Sequence, residues 1–283
     1  MSDKPGVKIV TDSTSDILAE DARRMGITVV PLTVLMGTET LRDGVDISSS
    51  EFYKRLPKLE KLPTTSQPSP GLFLKAYEEL TADGSSVISI HLSSKLSGTY
   101  ENAAIAARNF PAGRVRVIDS LQISAGLAFG VQTAVEMAQA GYDIDRIEAE
   151  VRSVVERVQI YATFDTIEYL KKGGRIGGLR AFMGSLLSIK PIILLKEGEV
   201  QPLEQIRTRN KALQRMAEIV KKQGKLDRLA ILHGDDIDGA SELANMLASV
   251  FPLKDMYISY IGPVVGTHTG PRALGIGLQR ARQ

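Results

Sequence analysis

The sequence predicts an α/β protein with two domains, of which the first is built on a parallel, Rossmann-like sheet and the second is also α/β. In the first half, short β-rich runs alternate with helical stretches, which is typical of a parallel sheet with helices on both faces. In the second half the pattern changes, with an amphipathic helical stretch at 145–158 and a glycine-rich turn at 173–178. We therefore predict a boundary near residue 160, with domains at 1–160 and 161–283.

The first domain is predicted to alternate strands with helices. Strands are predicted at 7–11, 27–35, 87–91 and 115–119, and helices at 71–80, 100–108 and 124–140. Ser13, with Asp16 three residues later, has the spacing of a helix N-cap followed by an acidic residue. Because ligands bind at the carboxyl ends of the strands in such sheets, we expect the loops 12–16, 92–99 and 119–120 to meet there.

The second domain is also predicted to contain both kinds of element. Strands are predicted at 189–196, 229–233 and 257–261, and helices at 181–187, 210–223 and 241–250, after the helix at 145–158 that precedes the boundary. Asp235, Asp236 and Asp238 lie beside Gly239, but the calcium-loop pattern fails after that glycine. This acidic cluster is better explained as a solvated turn with helix-capping carboxylates.

The composition excludes several classes of function. The 283 residues carry 35 basic and 33 acidic side chains, and a net charge of +2 gives no signal for nucleic acid or an anionic membrane. Cysteine is absent, so neither disulfides nor thiolate sites can form. No apolar run approaches the roughly 18 residues of a membrane span, and residues 1–8 lack the apolar core of a signal peptide. We therefore expect a cytoplasmic protein without stable membrane insertion.

Familiar catalytic and cofactor motifs are missing. The sequence has no GxxxxGK[ST] phosphate loop, no GxGxxG turn between a strand and a helix, and no GxSxG nucleophile elbow. Its three histidines, His91, His233 and His268, lack the spacing of metal ligands. We expect no metal and no cofactor.

Three polar segments are candidates for a binding site. Residues 64–71 carry four hydroxyls and an amide before a predicted helix, and residues 92–100 lead from a buried strand into the next helix. Helix capping alone would explain either segment. Residues 266–270 place His268 between two threonines in a predicted flexible loop, where a ligand-facing role is as plausible as a structural one.

The charge of these segments favours one class of ligand. The two hydroxyl-rich segments contain a single cation, Lys95, whereas phosphate sites usually recruit Lys or Arg. Hydroxyls, amides and one histidine instead suit the carboxyl group of an organic acid. Arg175, between two glycine pairs, fits either a solvated turn or a guanidinium offered to a partner or a phosphate.

Six segments, taken in order, resemble the DegV family. They are Val10-Thr11-Asp12-Ser13-Thr14, Thr65-Ser66-Gln67-Pro68-Ser69, Leu96-Ser97-Gly98-Thr99-Tyr100, Tyr169-Leu170-Lys171-Lys172-Gly173-Gly174-Arg175-Ile176, Ile189-Lys190-Pro191-Ile192 and Gly266-Thr267-His268-Thr269-Gly270-Pro271. The resemblance runs from near residue 7 to the C-terminus. It implies a two-domain α/β protein that binds a long-chain fatty acid between its domains. It also implies a partner, the kinase subunit of a fatty acid kinase, which phosphorylates the bound carboxylate to an acyl phosphate.

The resemblance implies roles for individual residues. Thr65 and Ser97 would hydrogen-bond the carboxylate, with His268 near the head group, and Arg175 would face the kinase and assist phosphoryl transfer. The predicted ligand-binding set is completed by their neighbours in the same motifs, Ser66, Gly98, Thr99 and Thr269. One departure is Arg272, which stands where the family usually has glycine after Gly270-Pro271 and puts the placement of His268 in question.

An apolar stretch at 181–189 follows the Arg175 turn and is rich in small residues. Its large side chains would line an acyl channel, with plain core packing as an equal alternative; they are Phe182, Met183, Leu186 and Leu187.

The alternative to a binding protein is an enzyme. A serine hydrolase or acyltransferase would use Ser97 as nucleophile and His268 as base. Such an enzyme also needs an acid that orients the histidine, and only Asp12 and Asp119, at predicted strand ends, are candidates. The main expectation remains a binding subunit without catalysis of its own.

Overall fold

The structure is a computed structural model that describes residues 6–182 and 189–282. In chain order its strands are β1 (Val7–Asp12), β2 (Ile27–Val30), β3 (Thr33–Met36), β4 (Glu39–Arg42), β5 (Thr64–Ser66), β6 (Ser86–His91), β7 (Val115–Asp119), β8 (Val158–Thr163), β9 (Lys190–Lys196), β10 (Glu199–Ile206), β11 (Leu226–His233), β12 (Tyr257–Tyr260) and β13 (Leu274–Arg280). Its helices are α1 (Ala19–Met25), α2 (Ser49–Arg55), α3 (Pro70–Thr81), α4 (Thr99–Ala107), α5 (Ala125–Gln139), α6 (Ile144–Glu156), α7 (Glu168–Lys172), α8 (Arg209–Lys221), α9 (Ile237–Leu247) and α10 (Pro263–Thr269).

Four strands form a parallel sheet in the order β2-β1-β6-β7. Its strands are apolar on both faces, as a parallel sheet covered on both sides requires. In β6, Val87 packs toward α3 and α4, while Ile88 and Ile90 pack toward α5 and α6. The predicted parallel sheet of the N-terminal half is confirmed.

A second sheet of six strands has the order β10-β9-β8-β13-β11-β12. Its strands are antiparallel neighbours except for the parallel pair β11 and β12. Helices α8 and α9 cover one face, and the other face is turned toward α5. The predicted fold class, two α/β units with a parallel sheet in the first, is confirmed. The domain boundary near residue 160 stays a prediction.

Helix α5 is shared by the two sheets. It packs on β1 and β6 of the parallel sheet and on β8, β11 and β13 of the mixed sheet. Ten of its 15 residues are buried, because a helix that is apolar around its whole circumference must be covered on all sides. The amphipathic α6 behaves differently, since only one stripe (Ile147, Val151 and Val154) is buried.

The single strand predicted at 27–35 is wrong. This segment forms β2 of the parallel sheet and β3 of a separate three-stranded antiparallel sheet with the order β4-β3-β5. Pro31 lies between the two strands and has no N–H to continue a ladder. Strand β5, within a segment predicted as a loop, is therefore positioned by pairing with β3.

Two further predictions about local structure are corrected. Segment 266–270 was predicted as a flexible loop, but residues 266–269 lie in α10 and Gly270 is its C-cap; the helix begins with Pro263, a residue that favours the first turn of a helix. Ser13 does not cap an α-helix: Asp12 caps a 3₁₀ turn by accepting a hydrogen bond from the Thr14 N–H. The capping role predicted for the acidic cluster near 236 is confirmed, because Asp236 accepts from the Gly239 N–H.

Five strands were not predicted, namely β4, β5, β8, β10 and β13. Strand β13 lies in the middle of the mixed sheet between β8 and β11. Two glycines, Gly275 and Gly277, lower the β-propensity of this strand, and sequence patterns therefore do not reveal it.

Among the described residues, no helix is both long enough and apolar enough to cross a membrane.

Candidate ligand-binding site

A cavity of about 330 Å³ lies between the loops of the parallel sheet and the inner face of the mixed sheet. This volume falls in the range of about 300–1,000 Å³ that is usual for small-molecule sites. Its polar lining residues are Thr14, Thr65, Ser66, Gln67, Ser97, Ser124, Arg175, His268 and Thr269. Its other lining residues are apolar, and they include Leu32, Leu92, Leu96, Ile123, Ile160, Ala162, Phe164, Leu170, Ile193, Leu195, Val200, Leu232, Ile261, Val264 and Val265.

The inner face of the mixed sheet forms one wall of the cavity, which we call the apolar floor. Strand register aligns Ile193, Ala162, Gly275 and Leu232 in one row across β9, β8, β13 and β11. Because side chains alternate between the faces of a sheet, the residues two positions along each strand form the next row on the same face. The floor is therefore built by strands that are far apart in the sequence.

The cavity also has a polar group of side chains, which we call the polar mouth: Thr65, Ser66, Gln67, Ser97, Arg175, His268 and Thr269. Thr65, on β5, and His268, in the last turn of α10, are joined by a 2.9 Å hydrogen bond between Oγ1 and Nε2. Both side chains are half-buried. The three-stranded sheet and α10 thus bring together residues that are 203 positions apart.

The imidazole of His268 is held in its neutral form. Burial, with a smaller effect from the nearby Arg175 guanidinium, lowers the pKa of His268 to about 4. Its Nδ1 atom is buried without a hydrogen-bond partner among the described residues. A Cβ at Gly173 would lie 2.2 Å from Nδ1, so glycine is required there for the ring to fit. A neutral imidazole can offer one donor and one acceptor, but no positive charge.

Ser97 precedes α4 and belongs to a small network at the start of that helix. Its Oγ is 2.9 Å from Thr99 Oγ1 and accepts a longer hydrogen bond from the Thr99 N–H. The Gly98 N–H donates to Oε1 of Gln67 at 3.0 Å, and a Cβ at Gly98 would collide with that amide. Ser97 and Gln67 line the cavity, whereas Gly98 and the fully buried Thr99 lie behind them.

Arg175 is exposed at the polar mouth. Its guanidinium donates to the carbonyl oxygens of Leu96 and Gly173, at 3.2 and 2.8 Å. Two neutral acceptors hold the side chain in place without neutralising its charge. The cation therefore remains available at the polar mouth for a negatively charged group.

The remaining predicted site residues divide into two groups. Ser66 and Thr269 line the cavity. The proposed acyl-channel set falls outside what the structure describes: Met183, Leu186 and Leu187 are not described, nor is the side chain of Phe182. Sequence reasoning missed Gln67, Thr14 and Ser124, although Gln67 lies in a motif that was singled out.

Arg272 does not disturb the polar mouth. Its exposed guanidinium forms an ion pair with Asp165, 2.9 Å from Nε to Oδ2, and the residue does not line the cavity. Its backbone has a left-handed φ of 59°, and its N–H donates to the Gly234 carbonyl. The cation therefore points to the surface of the mixed-sheet unit.

The structure does not support a serine hydrolase around Ser97. Asp12 is hydrogen-bonded to His91, and Asp119 accepts from the backbone N–H groups of Ser94 and Leu121. Neither carboxylate orients His268, whose Nε2 atom is bonded to Thr65. The third member of a catalytic triad is thus missing among the described residues.

A buried hydrogen-bond chain leads from the core toward the cavity, and no sequence motif predicted it. Tyr77 donates to Ser89, whose Oγ is 2.7 Å from Nε2 of His91, and Nδ1 of His91 is 3.0 Å from Asp12. Asp12 accepts from the Thr14 hydroxyl, which lines the cavity. These side chains are essentially inaccessible to solvent, so this Ser-His-Asp arrangement cannot meet a substrate. Its role is to satisfy buried polar groups and fix Thr14.

Fold and site together define an α/β protein whose two sheets enclose an apolar cavity of ligand size with a polar mouth. A family model described as "Uncharacterised protein, DegV family" matches residues 6–281, and the chain belongs to the DegV family. A DegV domain-containing protein of Streptomyces coelicolor is 40% identical, over 95% of this chain and 97% of that protein.

Solved structures give the same relationship. A DegV family protein from Thermus thermophilus, described by its fatty acid binding, has a TM-score of 0.91 and 35% identity, with 98% of this chain and 100% of that chain covered. DegV from Bacillus subtilis, described as a fatty acid binding protein, has a TM-score of 0.88 and 34% identity over the same shares.

Proposed function

We propose that this protein binds one long-chain fatty acid in the cavity and holds its carboxyl group at the polar mouth. The observation that carries the proposal is the division of the lining into an apolar floor and a mouth of hydroxyl, amide and imidazole groups around Thr65, Ser97 and His268. The fatty acid binding of the relatives from T. thermophilus and B. subtilis supports the same class of ligand.

The tail supplies most of the affinity in this proposal. Each methylene removed from water contributes about 0.8 kcal/mol, so a long acyl chain offers on the order of 10 kcal/mol before the costs of association. Each head-group hydrogen bond adds about 1 kcal/mol net. The polar mouth therefore fixes the orientation of the ligand more than it sets the affinity.

The head group is recognised by neutral donors. With its proton on Nε2, the neutral His268 donates to Thr65 Oγ1, which leaves the hydroxyl hydrogen of Thr65 free for a carboxylate oxygen. The hydroxyl of Ser97 is the second donor. Thr65, Ser97 and His268 form no ion pair with a carboxylate held in this way, and so it remains a nucleophile for a subsequent reaction.

We further propose that this reaction takes place on a partner. The kinase subunit of a fatty acid kinase would supply the nucleotide, and a carboxylate oxygen would attack its terminal phosphorus to give an acyl phosphate and a nucleoside diphosphate. Arg175, which is exposed and held at the mouth by two hydrogen bonds, would face the partner and compensate negative charge on the transferring phosphoryl group. The present chain would bind and orient the substrate without catalysis of its own.

The binding step is tested by calorimetric titration of lipid-free protein with palmitic acid and with its methyl ester. The two ligands share a tail but differ in the carboxylate. We expect one site per chain, with the ester bound about 5- to 150-fold more weakly, which corresponds to about 1–3 kcal/mol for unsatisfied polar groups. If neither the acid nor the ester binds, the proposed fatty acid site is refuted. If both bind with equal affinity, the carboxylate does not lie at the polar mouth.

A further inference from the structure

Two glycines on β13 face the same side of the mixed sheet but have different surroundings. At Gly277 a Cβ would lie 2.6 Å from the Cβ of Ala125, so α5 rests directly on the strand there. At Gly275 the nearest atoms to a Cβ would be the Tyr161 carbonyl oxygen at 3.8 Å and the Leu232 Cβ at 3.9 Å. Both distances are ordinary van der Waals contacts, and a side chain at Gly275 would therefore extend into the cavity.

The neighbour of Gly275 on β8 is also small. Register pairs Gly275 with Ala162, and larger side chains, Ile193 and Leu232, flank this pair in the same row of the apolar floor. All four residues line the cavity. The centre of the floor is thus a depression between two aliphatic walls. Two residues further along β13, α5 comes close to Gly277, in a row where Ile160 and Leu195 still line the cavity.

We propose that Gly275, together with Ala162, determines the length of acyl chain that the cavity accepts. This inference rests on the proposed fatty acid site, and it names the place in the cavity that limits the length of the acyl chain. The depression receives the distal methylenes, and the close approach of Ala125 to Gly277 leaves less room beyond it. Because no polar group lies in this row of the floor, its effect is steric and independent of the head group.

The backbone of Gly275 does not itself require glycine. Its φ is not in the left-handed region, and the residue lies inside a regular antiparallel ladder with β8 and β11. A β-branched side chain is well suited to such a position in a strand. The absence of a side chain is therefore explained by the space that it leaves in the cavity.

The experiment compares Gly275→Val with the wild-type protein in competition titrations against saturated acids of about 12 to 18 carbons, which differ only in the number of methylenes that the cavity must bury. We expect the valine variant to lose affinity for the longest acid by at least about 10-fold relative to the shortest, since each methylene that loses burial costs roughly fourfold. Affinity for the shortest acid should stay within about twofold, because its head group and proximal chain are unaffected. Acids that co-purify with the variant should be shorter by mass spectrometry.

Leu274→Ile is the matched control, because Leu274 is on the same strand but packs in the core on the opposite face of the sheet. It should leave the preference for chain length unchanged. If Gly275→Val does not fold, Gly275→Ala and Ala162→Val test the same depression and should shift the preference in the same direction. An equal loss for all chain lengths, or an unchanged ratio between them, would overturn the inference. Failure of the wild-type protein to bind any fatty acid is a different result, and it would refute the proposed function itself.

Discussion

At the scale of single residues, three side chains without charge are the proposed head-group contacts of the polar mouth, and Arg175 is the cation beside them. His268 is neutral because its burial lowers its pKa, and Thr65 and Ser97 contribute hydroxyls. The sequence already predicted these three residues and Arg175. Hydroxyl-rich segments with a single cation indicated the class of ligand, and the resemblance to the DegV family implied the role of each residue. It could not predict that Thr65 and His268 are hydrogen-bonded, since that contact joins positions from opposite ends of the chain.

Replacement of Ser97 by alanine tests the head-group contact. We expect Ser97→Ala to weaken binding of a fatty acid by about 5- to 150-fold, the cost of about 1–3 kcal/mol for an acceptor left unsatisfied in a buried site. Binding of the methyl ester should change much less. Ser94→Ala is the control, because Ser94 lies on the same loop but does not line the cavity. Unchanged affinity in Ser97→Ala would remove Ser97 from the site.

Gly173 provides a test of the position of His268. We expect Gly173→Ala to displace the imidazole, since the new Cβ would lie 2.2 Å from Nδ1, and to destabilise the protein by about 1–3 kcal/mol, as overpacking usually does. Fatty acid affinity should fall as well. In Gly71→Ala, where the nearest atom to the Cβ is 3.8 Å away, neither effect is expected. Thermal unfolding and titration of both variants measure the difference, and similar behaviour of the two would contradict this role of Gly173.

At the scale of elements, α10 carries His268 and is anchored at its other end by two buried carboxyl groups. The Gly262 N–H donates to Oδ1 of Asp16 at 3.0 Å, and the Val264 N–H donates to Oδ2 of Asp43 at 3.3 Å. Burial is the main cause that raises the pKa of both carboxyl groups, that of Asp43 to about 7. The start of α10 is therefore tied to the loops that follow β1 and β4.

Asp43 should make stability depend on pH. Its pKa is about 7 in the folded protein and near 3.8 when unfolded, so the folded state holds the proton more tightly between these values. The stabilisation from protonated Asp43 is complete below about pH 3.8 and is lost as pH rises through about 7. We expect Asp43→Asn, which stays neutral, to show a smaller fall in stability between about pH 4.5 and 7.5 than the wild type. Urea unfolding of both proteins at the two pH values measures the fall in the free energy of unfolding. An equal fall in the wild type and in Asp43→Asn would contradict the raised pKa of Asp43.

Helices and strands were predicted correctly where a local sequence pattern determines them, and they were missed where tertiary contacts determine them. The amphipathic stripe of α6 and the apolar runs of β1, β6 and β7 were visible in the sequence. Strand β13 was not, because its glycines are selected by the cavity and by the close approach of Ala125 rather than by strand propensity. The threonine-rich β5 became a strand only by pairing with β3.

At the scale of the whole molecule, the cavity belongs to neither sheet alone. Its floor comes from β8, β9, β11 and β13, and its polar mouth from β5, the start of α4, the loop after α7 and the end of α10. Motif order along the chain predicted which residues take part, through the resemblance to the DegV family. The geometry depends on the packing of both sheets around α5, which no local pattern encodes.

Replacement of Arg175 tests whether this residue acts in phosphoryl transfer and not in fatty acid binding. We expect Arg175→Ala to bind palmitic acid with an affinity within about threefold of wild type, because its contacts are to carbonyl oxygens at an exposed site. Acyl phosphate formation with a fatty acid kinase subunit and ATP should fall by about 10-fold or more, as loss of one charge-stabilising group usually causes. Lys75→Ala, on the exposed face of α3, serves as control. Parallel loss of binding and transfer would contradict this division of roles.

Mass spectrometry of the purified protein, under native and then denaturing conditions, measures whether a fatty acid is held in the cavity without a covalent bond. We predict an added mass equal to one fatty acid in the native spectrum and its complete loss on denaturation, with the released acid identified by extraction. A protein that is empty in both states and binds no added fatty acid would contradict fatty acid binding. An added mass that survives denaturation would contradict non-covalent binding.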